Sequence, residues 1–315
     1  MSIFNTPILF MVFNRPSTTI QVFEKIRQLR PSKLYVSGDG PREGYDGEKE
    51  RIEKVRRIVT TVDWPCDVKT LFHERNLGCK NGCITGINWF FDNEEKGIIL
   101  EDDCLPHTDF FNFCESLLSF YVDDERVSFI CGTNFQNGRW SGEASYYFSK
   151  YPKLWGWATW RDRWSKYQVG NMEFWPEYKN SKDFFEKIPD KVERRFWKNI
   201  FNLMFLNKID TWCYPLNASV WYRGGLTVVP NVNLISNIGF GDHATHTKKV
   251  NKFSKMPVYE LNSLVHPKKI EADLVADRHT FNYQYGGKNL RFPYNWIIFF
   301  PKLIINIFRK TKIFF

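Results

Sequence analysis

The feature that most constrains this chain is the order of its apolar runs over the first 135 residues, where short strand-like stretches alternate with stretches of helical period. Residues 8–13 are apolar and stop at Asn14-Arg15-Pro16, a turn signal. Beyond it Ile20, Phe23, Ile26 and Leu29 recur at helical spacing, with Ser17 placed to cap that helix. Residues 33–37 read as a second strand closed by Gly38-Asp39-Gly40-Pro41, and 48–62 as a helix with Ile52, Val55, Ile58 and Val59 on one face. A third strand at 67–72, a helix at 79–91, a fourth strand from 98, a helix at 110–121 and a fifth strand at 127–131 continue the series. Strands joined through amphipathic helices need crossover connections, so the expected class is α/β: a mostly parallel central sheet with helices on both faces. Ligands of such sheets bind beyond the carboxyl ends of the strands. Those ends are polar here: Asn14-Arg15, Gly38-Asp39, His73-Glu74-Arg75-Asn76 and Glu101-Asp102-Asp103. They are expected to converge on one cleft.

After residue 132 the pattern weakens and tryptophans crowd, at 140, 155, 157, 160 and 164. Residues 184–206 regain a helical period, 212–221 fit strand or helix equally, 227–229 read as a short strand, and 231–247 as an ordered loop rich in Asn, Gly and His. No linker and no repeat interrupts the chain. The 315 residues therefore divide into a catalytic unit over 1–250 and a C-terminal extension over 251–315.

The net charge of +9 favours anionic partners. The excess is dispersed except over 282–315, which holds Lys and Arg but no Asp or Glu, so a dedicated nucleic-acid protein is not expected. Seven cysteines follow no metal-site spacing and read as reduced thiols of a cytoplasmic protein. Residues 8–13 are too short for a signal peptide, and no window approaches 18 uncharged apolar residues. The first strand is followed neither by Gly-x-Gly-x-x-Gly nor by a Gly-Lys-Ser/Thr phosphate loop, which excludes the usual dinucleotide and P-loop solutions.

The most informative segment is Glu101-Asp102-Asp103. Three successive carboxylates at a buried strand end repel one another and lose hydration, and a divalent cation with a substrate diphosphate would compensate both. Arg15 can pair with phosphate, Asp39 can accept from a base or ribose, and Arg75-Asn76-Leu77-Gly78 can bring helix-end amides to an anion.

Six motifs in this order resemble a known family: Phe13-Asn14-Arg15-Pro16, Ser37-Gly38-Asp39-Gly40, Arg75-Asn76-Leu77-Gly78, Glu101-Asp102-Asp103-Cys104, Trp155-Gly156-Trp157-Ala158-Thr159-Trp160 and Asn237-Ile238-Gly239-Phe240-Gly241. The chain resembles, over residues 7–246, bacterial nucleotide-diphospho-sugar transferases of the GT-A fold, near glycosyltransferase family 2, and more distantly N-acetylglucosaminyltransferase I. The resemblance implies a single Rossmann-like nucleotide-sugar-binding unit. It implies that Arg15, Asp39, His73, Arg75 and Asn76 hold the nucleoside and diphosphate. Asp103 would ligate Mn2+ or Mg2+, Glu101 and Asp102 would contact ribose or orient water, and Trp157 with its neighbours would shape the sugar pocket. It implies an inverting transfer from a UDP-sugar to a glycan or lipid-linked acceptor in cell-surface polysaccharide synthesis.

An inverting enzyme needs a base for the acceptor hydroxyl. The family that the chain resembles carries an aspartate where this chain has Cys213, so the base is sought in Asp210, Asp162 or Glu143. His246, in Asp242-His243-Ala244-Thr245-His246, is a further candidate metal ligand. The aromatic, acid-free tail has the composition of a segment lying on an anionic membrane surface, on the inner face of the plasma membrane, or else of a helix packed on the catalytic unit or a second subunit of a homodimer. Nucleotidyl transfer and non-catalytic glycan or membrane binding are the competing functions.

Overall fold

Both faces of the central predicted strands are apolar, and the fold covers both. The computed structural model describes residues 4–167, 169–241 and 250–294. In chain order its elements are β1 (Ile8–Val12), α1 (Pro16–Leu29), β2 (Lys33–Gly38), α2 (Glu48–Thr60), β3 (Asp67–Phe72), α3 (Cys79–Asn93), β4 (Lys96–Glu101), β5 (Cys104–Pro106), α4 (Thr108–Phe120), β6 (Val127–Cys131), β7 (Tyr146–Ser149) and β8 (Trp157–Trp160). There follow α5 (Arg161–Trp164), α6 (Trp175–Tyr178), α7 (Lys182–Lys187), α8 (Lys191–Phe205), α9 (Cys213–Arg223), β9 (Leu226–Pro230), β10 (Ile235–Asn237) and α10 (Leu274–Gln284). Residues 8–12 alternate: Leu9 and Met11 join one core with Ile87 and Phe90 of α3, while Ile8, Phe10 and Val12 join the other with Val22, Phe23 and Ile26 of α1. Each such side chain removed from water contributes roughly 1.5–3 kcal/mol, which sustains a sheet layered on both sides.

The sheet has eight strands in the order β3-β2-β1-β4-β8-β6-β9-β7. β3, β2, β1 and β4 run parallel, as do β6 and β9, while β8 is antiparallel to both β4 and β6, and β7 is antiparallel to β9. This is a mixed α/β sheet with mostly parallel strands. The first half matches the sequence pattern closely. Helix α1 starts earlier than Ser17: Arg15 is its N-cap residue and Pro16 occupies the first turn, where a missing N–H is harmless. The helical period over 184–206 resolves into α7 and α8, interrupted at Pro189 and restarted by Asp190, whose carboxylate accepts from the backbone N–H of Val192 and Glu193. Residues 212–221, undecided from sequence, fall in helix α9.

Several elements carried no clear sequence signal: β5, α5, α6 and β10, and above all β7, β8 and α10. The last brings part of the segment after 250 into close packing. Asp277 of α10 is 1% exposed and accepts from the Lys150 backbone N–H at 3.1 Å, and the Gln136 amide donates to Ala276 O and Thr280 Oγ1 at 3.0 Å each. Among the described residues no helix is long and apolar enough to cross a membrane. The tail residues 295–315 lie outside the described residues.

Candidate active site

β1, β2 and β4 are parallel neighbours, so their carboxyl ends meet at one edge of the sheet. A cleft of about 690 Å³ opens there. Its wall includes Arg15, Asp39, Asn76, the whole Glu101-Asp102-Asp103 triplet and Asp210.

The triplet is held from three sides. Phe13 donates its N–H to Asp102 Oδ2 at 3.2 Å from the end of β1. The Arg15 guanidinium donates to Asp103 Oδ2 at 2.9 Å and to Asp102 Oδ1. From the far half of the chain, β10 pairs antiparallel with β5, and Ile238 donates its N–H to the Asp103 carbonyl at 2.8 Å. That pairing sets Gly239 against the carboxylate so closely that a Cβ there would stand 2.1 Å from Asp103 Oδ2. Only glycine fits at this position.

The charges are not balanced. Burial favours the neutral acid at Asp102, opposed by the Arg15 charge and reinforced by that of Asp103, and the result is a carboxyl raised above its usual range. Glu101 is raised well above its usual range, first by burial and then by the charge of Asp103. On Arg15 burial works against the charge, but the two aspartates outweigh it and the guanidinium is held more firmly protonated than usual. The sequence reading placed a cation and a diphosphate between the triplet and Arg15. In the structure Arg15 itself spans Asp102 and Asp103, since no other cation contacts these buried aspartates among the described residues.

At the neighbouring strand end, Asp39 staples two loops. Its Oδ1 accepts from Gly40 N–H at 2.8 Å and Leu77 N–H at 2.9 Å, while Asn76 donates to Gly40 O at 2.8 Å. His73 and Arg75 do not line the cleft. The His73 backbone carbonyl is turned toward Arg56, which donates to it at 2.7 Å, and the Arg75 side chain points to solvent. Instead Lys80 and the first turn of α3 face the cleft, and the N-cap Gly78 (φ 80°) provides no side chain to satisfy that turn. The sequence reading expected helix-end amides here and missed Lys80, which sits inside an apolar helix.

The base candidates separate. Asp210 lies on the cleft wall, exposed, in the loop before α9. Asp162 does not: β8 is antiparallel to β4 and Trp160 pairs with Lys96, so α5 begins at the opposite edge of the sheet, where Asp162 pairs with Arg163 at 2.8 Å. Glu143 is exposed in the loop before β7, away from the cleft. Trp157 is fully buried beneath the site, packed edge-on against Phe129 and beside Trp164 and Trp212, because its strand lies in the middle of the sheet. Trp155 is the tryptophan of that motif that lines the cleft. Cys213 lines it too, with its thiol pushed up to about 12 by burial and then by the Glu101 charge, so it is neutral and no base. His246 lies outside the described residues.

Sequence reasoning also missed a group at the far wall: Lys153, Asn217, Gln284 and Tyr285. Lys153 and Asn217 are 3% and 4% exposed, against the ordinary habits of their types.

No family model and no curated protein matches the chain. Among solved structures it is similar to TarS 1–349 of S. aureus, at 10% identity over 71% of this chain and 58% of that one, with a TM-score of 0.38. It is similar to apo UDP-glucose pyrophosphorylase at 10% identity over 73% and 93%, TM-score 0.36. A cytidylyltransferase from Leptospira borgpetersenii aligns at 9% identity over 52% and 63%, TM-score 0.32. The chain thus spans less than two thirds of the TarS fragment and of the cytidylyltransferase. Likenesses this distant leave the function of the cleft to be read from its own side chains.

Proposed function

We propose that the chain is a glycosyltransferase that takes a nucleoside diphosphate sugar, a UDP-sugar first, and transfers the sugar to a glycan or lipid-linked acceptor with Mn2+ or Mg2+ as cofactor. The observation that carries this reading is the placement of Glu101, Asp102 and Asp103 at the carboxyl end of β4, inside the cleft and opposite the open first turn of α3.

The residues present fit a hard divalent cation. Among the described residues the Glu101 carboxylate accepts no hydrogen bond, and Asp103 Oδ1 accepts only from the Cys104 thiol, at 3.4 Å. Among the described residues no three His, Cys, Asp or Glu side chains are grouped so that they could hold a metal ion by themselves. One or two carboxylates completed by substrate phosphates is the usual provision for Mg2+ at nucleotide sites. When bound, such an ion neutralises the diphosphate leaving group. Asp102, occupied by Phe13 and Arg15, is a positioning residue. Lys80 and the α3 amides face the cleft where a phosphate would gain from both. Asp210 would take the acceptor proton, and Trp155 would lie against the sugar. The acid-free tail would bring the enzyme to an anionic membrane surface that holds a lipid-linked acceptor.

The test is a donor screen that reads released nucleoside diphosphate, on the wild type and on Asp103→Ala. Metal-dependent release that falls by about 100-fold or more in the variant, with its circular dichroism unchanged, is the expected result. Equal turnover in the two proteins, or release of pyrophosphate in place of a nucleoside diphosphate, would overturn the assignment.

A further inference from the structure

At the far wall of the same cleft, a buried cation and a buried amide lack the partners that burial ordinarily demands. Lys153 is 3% exposed, and among the described residues it has no ion pair. Its ammonium donates to Gln284 Oε1 at 3.2 Å and sits 5.1 Å from the Phe135 ring centre and 5.7 Å from that of Tyr151. Both atoms of the Asn217 side-chain amide are buried with no hydrogen-bond partner among the described residues. The two residues line one cavity, and their supports touch: the Tyr151 ring beneath Lys153 packs at 5.5 Å against Trp221 of α9, the helix that carries Asn217.

Such an arrangement costs folding energy unless something answers it. Lys150, three residues earlier, shows the structural alternative: it is as deeply buried but pairs with Glu193 at 2.8 Å. Burial also lowers the ammonium of Lys153 to about 8, as expected of a cation without a close counter-charge, although Cys131 and Asp277 pull the other way.

The geometry points to Lys153 and Asn217 as a subsite for a sugar residue that bears a carboxylate, an acidic sugar of the uronic type. One ammonium matches one carboxylate. A phosphate, at about −1.5 to −2 near neutral pH, would leave surplus charge against a single lysine. Asn217 offers Nδ2–H to a carboxylate oxygen and Oδ1 to a neighbouring ring hydroxyl, which is the pair of functions a uronic acid presents together. Phe135 and Trp155, in contact at 5.2 Å between ring centres, supply apolar faces for the sugar's C–H groups. The inference rests on the sugar-transfer reading only for the presence of a sugar. Whether the acidic residue belongs to donor or acceptor is decided by the arms of the test.

The full chain would be titrated by calorimetry with Mn2+ and UDP, UDP-glucuronate and UDP-glucose. Without nucleotide it would be titrated with methyl glucuronide, methyl galacturonide, methyl glucoside and inorganic phosphate. The same series is run on Lys153→Met, Lys153→Arg and Asn217→Leu. The expected result is a preference of about tenfold or more for an acidic over a neutral partner, nearly lost in Lys153→Met, largely kept in Lys153→Arg, and weakened several-fold in Asn217→Leu, with UDP affinity equal throughout. A preference confined to UDP-glucuronate assigns the acid to the donor, and one seen with the free glycosides assigns it to the acceptor. Equal affinity for acidic and neutral sugars in the wild type, a preference unchanged in both Lys153→Met and Asn217→Leu, or tighter binding of phosphate than of every glycoside would overturn the subsite. Loss of UDP binding in all proteins, with a Lys153-dependent preference retained for free glycosides, would defeat the nucleotide-sugar reading and leave the subsite standing.

Discussion

The two ends of the cleft are unbalanced in opposite senses. At the β4 end three acids face one arginine, and Glu101 is left over. At the far wall a lysine faces rings and an amide, with no acid in contact among the described residues. Elsewhere the molecule settles its buried charges: Glu193 meets both Lys150 and the Tyr151 hydroxyl, and Trp197 donates to that hydroxyl at 3.1 Å. The contrast separates charge that the fold needs from charge that it tolerates. Polar groups held against their solvation preference, in a cavity, are groups kept for a ligand.

Five substitutions test that division. Arg15→Met leaves Asp102 and Asp103 buried without a cation, and a loss of about 3–5 kcal/mol is expected in urea unfolding. Mn2+ should then restore more stability to the variant than it adds to the wild type; no difference in stability would show that the arginine is not what balances the acids. Lys150→Met breaks a settled pair and should cost about 3 kcal/mol by the same measure. Lys153→Met should have the opposite sign. Its ammonium, at about 8 in the fold against an ordinary 10.5, penalises folding fully below pH 8. At this residue the unfolded chain binds more protons between pH 8 and 10.5, so the stability of the wild type relative to the variant should rise with pH across that window, by up to about 3 kcal/mol. The comparison is with the variant because Cys131, at about 12 in the fold against an ordinary 9, contributes with the opposite sign above pH 9 in both proteins, whereas Asp277, at about 6, titrates below the window. A variant less stable than the wild type at pH 7 would make Lys153 a structural residue. Asp162→Asn and Glu143→Gln, both away from the cleft, should leave nucleoside diphosphate release within about twofold, as exposed changes usually do.

The first half of the fold was legible because most of its strands are short, apolar and separated by helices of clear period, with the edge strand β3 the exception, and each strand end was already polar. Asp67–Phe72 and Val127–Cys131 fall where the pattern puts them. β7 and β8 were illegible for a chemical reason: Tyr146–Ser149 and Trp157–Trp160 are only four residues long and place aromatic residues on both faces, so neither period shows. α10 hides its packing behind polar side chains, since Asp277 and Thr280 are buried through hydrogen bonds and not through an apolar stripe. Within the site, residues at strand ends could be found by type, but distinguishing Asp210 from Asp162 needed the direction of β8. Lys153 and Asn217 could not be found from residue type at all, because their burial reverses its usual meaning.

The clip of β10 on β5 also sets an order of assembly. The strand ends that bear Arg15 and the acids leave the ribosome early, whereas the segment that closes over Asp103 comes from more than a hundred residues later. A nascent chain halted after β6 would carry the alternating layer with its carboxylates uncovered on one side. The cleft is therefore a late product of synthesis: Gly239 closes it over Asp103, Gln284 and Tyr285 of its lining follow later still, and ligand binding to growing chains should appear only once they have emerged.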